Sequence, residues 1–489
     1  MNETNEYNLI DEPWIPVLMK NGKNNTASLG DVFADVNGEI ADLALNPYER
    51  VAVFRLLLCI AQAALGPKHL KDEQDWLSAK KDVGPLSKKY LEKWHDRFFL
   101  YGPHAFLQPD CILAANEISS KPCDNLVFEL ASGNNSTLFD HAAIQGFRKN
   151  LPIFKLVLSL LVYQNFAAGG GAPQCKWDGV VTPFRGTSGA PCREQSMLFS
   201  ILKGGYLLES IWLNLLTDET VQQTLCAEWR EPIWELETLT RCNTEILSHS
   251  FLGHLVPLSR AIKLIKGATI CNIGEGVKYP QLPEWREQMA TVFDKSGKIG
   301  YISAKPSRMP WRDLTSILAL NGHGETRSAL ALRHLETLPD EKVFSLWTGG
   351  IYWEPGQAKQ IDTVEWSATL PILMLNESAM LKYETSINFA DRQCSALRIS
   401  AKTYASLMKS EKAQRFYEPA ECLFWDILAR AENQRLVLAV ESPTYKDDWK
   451  EATRDAAQEA YRRACPAVTA RQMEAYVQGL SKLNVREEI

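Results

Sequence analysis

The sequence feature that most constrains the fold is a change of pattern near Asn376. From there onward, four segments carry apolar residues at helical spacing: YETSINFADRQCSALRISAKTYASLMKS, EPAECLFWDILARAEN, KDDWKEATRDAAQEAYRRAC and TARQMEAYVQGLSKL. Pro443 and Pro466 fall in the gaps between these segments. Four helices joined by short links predict an up-down four-helix bundle over residues 377–489.

The preceding part of the chain, residues 1–376, has a mixed pattern of short strands, helices and long loops. Near its start, apolar and polar residues alternate on both sides of NGKNN, which predicts two strands joined by a turn. Pro13 and Pro16 predict that the first strand lies at a sheet edge or is interrupted. The expected fold class is α+β, with a mixed N-terminal domain followed by the C-terminal four-helix bundle.

Two apolar segments predict buried helices in this N-terminal part. One begins near Asn46, with Pro47 in its first turn, and includes the window Val51–Gly66. This window is too short to span a bilayer and contains Arg55, so we interpret it as a core helix. The other, Phe154–Phe166, leads directly into the sequence AAGGGAP.

Composition indicates a soluble globular protein, because 45% of the 489 residues are hydrophobic and 23% are charged. The net charge of −6 argues against a free nucleic-acid binder, but it allows a local basic patch or basic partner subunits. The odd number of cysteines, 11, and the lack of a signal peptide predict a reducing, cytoplasmic location. No membrane association and no cofactor are expected.

Motifs of catalysis are missing from the sequence, which contains no Walker loop, GxSxG, HExxH or paired CxxC. Asp140 and His141 stand together in the loop sequence SGNNSTLFDHA. Neighbouring side chains on an extended backbone point in opposite directions, so a direct dyad is not expected. The sequence therefore predicts a protein that binds rather than catalyses. A hydrolase that uses Asp140 and His141, and a purely structural scaffold subunit, remain the alternatives.

The three glycines at 169–171 allow two interpretations. Without a Cβ atom, they would let the backbone of this loop approach a partner closely and present bare N–H groups. A flexible linker or a helix C-cap would use the same residues. The glycines do not form a GxGxxG dinucleotide-binding fingerprint.

Several segments together resemble one known family. They are, in chain order, YNLIDEPWIPV, ERVAVFRLLLCIAQAAL, FLQP, SGNNSTLFDH, AAGGGAP and GGIYWEPGQAKQIDTVEW. In content and order they are similar to the CasA family, the large subunits of the type I-E CRISPR surveillance complex, Cascade. The resemblance implies a non-enzymatic subunit in a complex that is built on a guide RNA and acts in antiviral defence. Such a subunit recognises a short flanking motif, the PAM, in double-stranded DNA and helps to open the duplex into an R-loop.

The resemblance also implies partners for each part of the chain. They are the backbone, handle-binding and small subunits of Cascade, the guide RNA, the target duplex and an effector nuclease on a separate chain or another subunit. In the loop that contains SGNNSTLFDH, Phe139 matches the aromatic contact to the guide 5′ handle and a backbone subunit. The same loop contains polar residues that would order it or contact the partner, namely Asn134, Asn135, Asp140 and His141.

Two further segments match the DNA-contacting loops of the family. Gly169, Gly170 and Gly171 match the glycine loop that lies in the PAM minor groove, where a bare backbone fits and side chains would clash. The turn EPGQAK matches a hairpin wedge that displaces the first target base pair. In it, Gln357 would insert beneath the PAM, next to Ala358, and Lys359 would meet a phosphate.

The family also uses a lysine from a middle strand at the PAM, and three residues could supply this cation here, namely Lys278, Arg286 and Lys295. Some relatives carry a cysteine cluster in the same region. Only Cys271 remains in this segment, which predicts that no structural zinc is bound.

Three cations are spaced along the first predicted helix of the bundle. Arg398, Lys402 and Lys409 are separated by nearly whole helical turns and are expected to share one face. By resemblance to the family, this face is a candidate contact for the displaced DNA strand. A solvated helix face is the alternative.

Overall fold

The computed structural model describes residues 7–109, 112–115, 120–128, 151–171, 174–182, 188–266, 269–320, 326–338, 342–353 and 361–483, except for the side chain of residue 361. The chain divides into two compact units, Met1–Thr369 and Leu370–Ile489, here called unit 1 and unit 2.

Short strands form several small sheets in unit 1. In chain order they are β1 Ile15–Met19, β2 Asn24–Ala27, β3 Ile40–Leu43, β4 Leu113–Ala114, β5 Ser120–Pro122, β6 Cys175–Trp177, β7 Val180–Val181, β8 Leu198–Lys203, β9 Arg260–Leu264, β10 Ile270–Glu275, β11 Val292–Lys295, β12 Lys298–Tyr301, β13 Thr326–Arg327, β14 Val343–Trp353 and β15 Ile361–Pro371. Their three-stranded sheets have the orders β2-β1-β3, β4-β6-β7, β5-β10-β9, β12-β11-β13 and β15-β14-β8.

The helices of unit 1 lie between these strands. They are α1 Leu29–Ala34, α2 Pro47–His69, α3 Glu73–Ala79, α4 Val83–Lys93, α5 Ile153–Phe166, α6 Leu207–Leu213, α7 Asp218–Gln223, α8 Arg241–Leu247, α9 Phe251–Leu255 and α10 Leu314–Ile317. Short 3-10 helices include Cys123–Leu126, Pro191–Ser196 and Leu330–Glu336.

Helix α2 forms the centre of unit 1. The side chain of Asn46 caps its N terminus by accepting a hydrogen bond from the Glu49 amide, and Pro47 is its first residue. By length and composition α2 could cross a membrane, but 72% of its most apolar window is buried inside the protein. Arg55 is fully buried and forms an ion pair with Glu287, Nη1 to Oε2, at 2.5 Å. The prediction of a buried core helix is therefore confirmed.

The N-terminal sheet corrects one expectation from the sequence. Strand β1 contains Pro16 and is the central strand, between β2 and β3, rather than an edge. The pairing with β3 begins only at Val17, opposite Leu43. Pro16 therefore needs no N–H on that side, and its carbonyl oxygen accepts a hydrogen bond from the Ala44 amide at 2.9 Å. A proline fits here because the β3 side uses only its carbonyl oxygen, which proline retains.

Unit 2 is helical after a short connection. Its helices are α11 Glu377–Leu407, α12 Gln414–Leu428, α13 Ala431–Leu438, α14 Tyr445–Ala464 and α15 Ala470–Leu480. The four predicted helices correspond to α11, α12, α14 and α15, and the short helix α13 is added between the second and third. Trp449 of α14 is fully buried, and its Nε1 donates to the Ser386 carbonyl of α11 at 2.9 Å. The predicted α+β class with a helical C-terminal region is confirmed.

Candidate nucleic-acid interface

The residues that the sequence predicts to be functional are only partly described. The loop with Asn134, Asn135, Phe139, Asp140 and His141, and the turn with Gln357, Ala358 and Lys359, lie outside the described residues. The glycines at 169–171 are described. The structure also describes Phe128 and Trp353, the last described residues before the two segments that it leaves out.

Helix α5 ends where the glycine loop begins. The amide of Ala167 donates to the Tyr163 carbonyl at 3.0 Å, and the Ala167 carbonyl accepts from the Ala190 amide at 2.9 Å. Gly169, Gly170 and Gly171 are exposed. Gly170 has φ +123°, and a Cβ atom placed there would meet no atom within 4 Å. Glycine is therefore required at position 170 for its backbone conformation, while the space in front of it is open.

A buried arginine fixes the base of this loop. Nη2 of Arg260 donates to the carbonyl oxygens of Ala168, at 2.6 Å, and of Ser188, at 2.9 Å. The backbone of Arg260 is itself held by Gln164 of α5, whose side chain donates to its carbonyl at 2.8 Å and accepts from its amide at 2.9 Å. Burial lowers the pKa of the Arg260 guanidinium. The Arg260 side chain thus holds the backbone on both sides of the loop, at Ala168 before it and at Ser188 after it.

A second arginine contacts residues that precede the glycine loop and the predicted wedge. The Cζ atom of Arg193, in the 3-10 helix Pro191–Ser196, lies 3.5 Å from the ring centroid of Trp353. Its Nη1 donates to the carbonyl oxygen of Phe166, the last residue of α5, at 3.5 Å. Burial, and then the charge of Arg260, lower the pKa of Arg193 to about 10, so it stays a cation at neutral pH.

Trp353 is the last residue of β14 and the last described residue before the turn EPGQAK. Its amide donates to Oγ of Ser196 at 3.1 Å, and only 8% of it is exposed. Residues 354–360 connect β14 to β15, which is its neighbour in the sheet. Trp353, where this connection starts, is therefore held in place through both its backbone amide and its indole ring.

Phe128, which precedes the third predicted segment in the chain, packs on the same tryptophan. Phe128 is the last described residue before the loop that contains Phe139. The ring of Phe128 meets the ring of Trp353 edge-on, with centroids 5.8 Å apart, and lies 6.1 Å from the ring of Tyr163 in α5. We call Phe128, Tyr163, Arg193 and Trp353 the anchor cluster. Phe128 and Trp353 are the last described residues before the Phe139 loop and the wedge turn, and Arg193 also contacts Phe166 at the end of α5, shortly before the glycine loop.

The anchor cluster was missed by sequence reasoning. Trp353 stands directly before the quoted turn, and Arg193 lies in a polar stretch between two apolar segments, with no motif to mark it. Their contact joins positions 160 residues apart in the chain, which no local pattern reports.

The three candidate cations of the middle region have different surroundings. Arg286 donates from Nη2 to the Arg327 carbonyl at 3.4 Å and also to the Ser328 carbonyl, so part of its guanidinium serves the fold. Lys278 is exposed in the segment after β10. Lys295 is exposed at the end of β11, directly opposite Lys298 of β12. Lys278 and Lys295 are thus exposed enough to contact a DNA groove, whereas Arg286 is not.

Cys271 has a neighbour that the local sequence does not reveal. The amide of Cys123 donates to the Thr269 carbonyl at 2.8 Å, and Cys271 pairs with Lys121, which places both cysteines on one face of the sheet. A hydrogen bond from the Cys271 thiol lowers the pKa of Cys123. In the part of the chain that the structure covers, no group of three or more His, Cys, Asp or Glu side chains could hold a metal ion.

The basic face of the helical unit needs a correction. Arg398 and Lys402 both lie over the ring of Tyr417, at 5.4 and 5.1 Å, and Nη2 of Arg398 donates to Glu421 at 2.7 Å. Lys409 is not on their helical face, because α11 ends at Leu407 and Lys409 has φ +55°. It is the left-handed residue of a Schellman motif, in which the Lys409 and Ser410 amides donate back to the last turn.

The described part of the chain is an α+β unit that carries an exposed glycine loop beside an aromatic and cationic cluster, followed by a helical unit. The comparison with known proteins specifies the class. The chain belongs to the family of CRISPR-associated protein Cse1, which it matches over residues 8–460. The resemblance seen in the sequence is therefore confirmed.

Individual relatives agree with this assignment. CRISPR-associated protein CasA/Cse1 of Thermus thermophilus is 29% identical over 518 residues, covering 98% of this chain and 97% of the relative. The crystal structure of Thermus thermophilus CasA superposes with a TM-score of 0.75 at 25% identity, and 98% of each chain is covered. Thermobifida fusca Cse1 shares the fold at 18% identity, with a TM-score of 0.76 over 98% of this chain and 97% of the other. A chain of a CRISPR RNA-guided surveillance complex does so at 17% identity, with a TM-score of 0.72 over 98% and 99%.

Proposed function

We propose that this chain recognises the PAM in double-stranded DNA and opens the first base pairs, so that the guide RNA of Cascade can pair with the target strand. The role of large subunit in a type I-E-like CRISPR surveillance complex follows from membership of the Cse1 family. The observation that carries the proposal is the anchor cluster, in which Arg193 contacts Phe166, shortly before the glycine loop, and Trp353, directly before the wedge segment.

Recognition of the PAM is assigned to Gly169, Gly170 and Gly171. The loop is exposed, and the position in front of Gly170 is open, so a groove edge has access to the backbone. The minor groove is narrow and distinguishes mainly A·T from G·C pairs. A loop without side chains suits such a groove and tolerates several PAM sequences. Lys278 or Lys295 supplies the additional cation.

Opening of the duplex is assigned to Gln357, supported by Ala358 and Lys359 in the same turn. A side chain that separates stacked nucleobases must overcome a few kcal/mol of stacking free energy per step, so the hairpin that carries it must be rigidly supported. Trp353, four residues before Gln357, provides this support through its amide hydrogen bond to Ser196 and its contact with Arg193. Lys359 binds a phosphate beside the opened pair.

Assembly is assigned to the loop that contains Phe139. Phe139 is an aromatic anchor for the guide 5′ handle and a backbone subunit, and Asn134, Asn135, Asp140 and His141 order the loop or contact the partner. Phe128, the last described residue before this loop, packs on the same Trp353, and this contact supports a subunit contact close to the DNA contact.

The helical unit is assigned to the displaced strand and the small subunits. Arg398 and Lys402 flank Tyr417, so the two cations and the aromatic ring could receive a phosphate and a base together. Lys409 would act separately, from the end of α11. The chain acts in the cytoplasm and binds nucleic acid and partner subunits without catalysing a reaction. An effector nuclease on another chain or subunit cleaves the target DNA.

The test compares assembled complexes on duplex targets with a matched or a mutated PAM. We expect PAM mutation to weaken binding by at least about tenfold, or roughly 1.4 kcal/mol. An equal number of changes in flanking DNA at the opposite end of the target should have no effect. Affinity that is independent of the PAM would leave the chain as a scaffold. Ester or nuclease turnover by the purified chain that is lost in His141→Ala would instead identify a hydrolase.

A further inference from the structure

A second stretch of chain lies directly beside the start of the glycine loop. A Cβ atom placed on Gly189 would lie 3.8 Å from the backbone nitrogen of Gly169 and 3.8 Å from Cδ of Arg193. Ser188 and Gly189 are half-buried, and Gly169 is exposed. Residues 188–190, here called the flanking segment, therefore reach the protein surface next to the glycine loop, although no sequence motif marks them.

Arg260 holds one carbonyl group from each of these two stretches. Its Nη2 donates to the Ala168 oxygen at 2.6 Å and to the Ser188 oxygen at 2.9 Å. Its Nη1 donates to the Ser259 carbonyl at 2.6 Å, and only 4% of the residue is exposed. The two carbonyl groups therefore point inward, toward the same buried nitrogen atom.

This arrangement fixes the direction of two backbone N–H groups. The peptide bonds that join Ala168 to Gly169 and Ser188 to Gly189 are trans. In a planar trans peptide, the C=O and N–H bonds point in opposite directions. Because both carbonyl groups point to the buried guanidinium of Arg260, the N–H groups of Gly169 and Gly189 point away from it, toward the surface. We call these two N–H groups the amide pair.

The amide pair is not used by the fold. Among the residues that the structure describes, neither Gly169 nor Gly189 donates a backbone hydrogen bond. Neither residue has a side chain that would keep a ligand away from its amide. The guanidinium of Arg260 lies behind both groups, and the side chain of Arg193 lies beside Gly189. Two adjacent donors with cations around them favour an electronegative ligand surface that is rich in acceptors.

We propose that the amide pair donates to the minor-groove edge of one A·T pair in the PAM, and that Arg260 is the positioning residue that orients both donors. This inference rests on the proposed function, and it adds Gly189 to the glycine loop as a second point of contact. The minor groove of an A·T pair presents only the acceptors adenine N3 and thymine O2. A G·C pair adds the guanine amino group, which would place a donor against the donors of Gly169 and Gly189.

The first test varies the DNA and uses the full chain in the assembled complex. Each pair of the PAM in turn is made A·T, G·C or inosine·C, and duplex affinity is measured by titration. Inosine keeps the major-groove edge of guanine but lacks its minor-groove amino group. We expect one pair at which G·C weakens binding by about fivefold or more relative to A·T, as for one mismatched contact. Inosine·C at that pair should restore most of the affinity.

The second test removes one donor of the amide pair. Gly189→Pro lacks the N–H group, whereas the matched control Gly189→Ala keeps it and places its Cβ at ordinary contact distances. Gly189→Pro should reduce the preference for A·T over G·C at the contacted pair by about threefold or more, which corresponds to one hydrogen bond. Gly189→Ala should keep the wild-type preference.

The third test removes the positioning residue. Arg260→Met should reduce the same A·T preference, and Arg260→Lys should recover part of it, because an ammonium group can still donate to both carbonyls. Arg50→Met is the control, since Arg50 is a buried arginine of unit 1 whose Nη2 donates to the Leu43 carbonyl at 2.6 Å. It should lower the melting temperature without changing the preference. A purely structural role of Arg260 would likewise leave the preference unchanged.

Several results would overturn this inference. Inosine·C that binds as weakly as G·C at every PAM pair would show that the minor-groove edge is not read. Equal weakening of all duplexes by Gly189→Pro would assign its amide to a backbone phosphate, and equal effects of proline and alanine would exclude the N–H group as the cause. If Gly189→Pro does not join the complex, a wild-type preference in Arg260→Met rejects the inference. Affinity of the wild-type complex that is independent of the PAM would instead reject the proposed function.

Discussion

The guanidinium of Arg193 lies against the indole of Trp353, with 3.5 Å between Cζ and the ring centroid. The same guanidinium donates to the carbonyl of Phe166, where α5 gives way to the glycine loop. One side chain thus bridges the starting points of two loops that are far apart in sequence. This contact predicts that the two loops depend on each other, and the first prediction addresses it.

Replacing Trp353 with leucine should weaken PAM-dependent duplex binding and complex assembly together. The substitution removes the cation–π contact, worth about 0.5–2 kcal/mol, and the edge contact with Phe128. Trp425→Leu, which changes a half-buried tryptophan of α12, serves as the control for a general loss of stability. Equal effects of the two substitutions on duplex binding, measured by titration of labelled duplex, would show that Trp353 does not organise the loops.

Gly170→Asp should weaken binding to PAM duplex by about tenfold, because a carboxylate would enter an anionic groove. Gly170→Asn is the matched control, since both side chains are strained at φ +123° and both have open space in front of them. The asparagine variant should bind more tightly than the aspartate variant, and the gap should narrow at high salt. Wild-type affinity in both variants would remove the loop from the DNA site.

Gln357→Ala should leave binding to a pre-opened bubble nearly intact and weaken binding to a closed duplex by a few kcal/mol, comparable to one unstacked step. Lys359→Ala should weaken both targets and flatten the salt dependence by about one charge, as expected for a phosphate contact. Measurements on both targets across a salt series separate these two roles. If Gln357→Ala affects the bubble and the duplex equally, the wedge is assigned to the wrong residue, and Gln360 becomes the candidate.

Phe139→Ala should loosen this subunit from the rest of the complex by about 2 kcal/mol or more, as expected for a buried aromatic anchor. Phe139→Leu, which keeps an apolar side chain but lacks the ring, should fall between alanine and the wild type. Size-exclusion chromatography at decreasing concentration measures the loss. Retention of Phe139→Ala at the lowest concentrations would show that the ring makes no anchoring contact.

The stability of unit 1 should fall at acidic pH because of His254. Burial, and then the charge of Arg55, hold the pKa of His254 well below its ordinary value. Its ring is stacked on Trp285, with centroids 4.2 Å apart. The folded protein therefore keeps His254 neutral, while the unfolded chain binds a proton below about pH 6.5. Stability is complete above this pH and is lost progressively below it.

The measurement compares urea unfolding of wild type and His254→Gln from about pH 7 to about pH 5. The difference in unfolding free energy between the two proteins should change by roughly 2 kcal/mol over this range, in favour of the variant at low pH. His249→Gln, which removes an exposed histidine, should show no such change. A pH-independent difference for His254→Gln would mean that His254 titrates normally in the folded protein.

Local patterns were sufficient to predict the elements of the fold that depend on neighbouring residues. The helical spacing after Asn376 predicted α11, α12, α14 and α15, because a buried stripe must recur with the helical period. The apolar run around Arg55 and the Asn46-Pro47 start predicted α2, because a long apolar segment and a proline in the first helical turn are local signals. Lys409 was misplaced because the end of α11 depends on a left-handed residue that is usually glycine, and the sequence offers lysine there.

By itself, the sequence determined the α+β class, the helical C-terminal part and the resemblance to the CasA family, since these depend on periodicity and on short motifs read in order. Only the tertiary structure decided that Phe128, Arg193 and Trp353 meet. Such contacts arise when chain segments separated by many residues pack together. The burial and charge repulsion that give these residues their properties exist only after that packing.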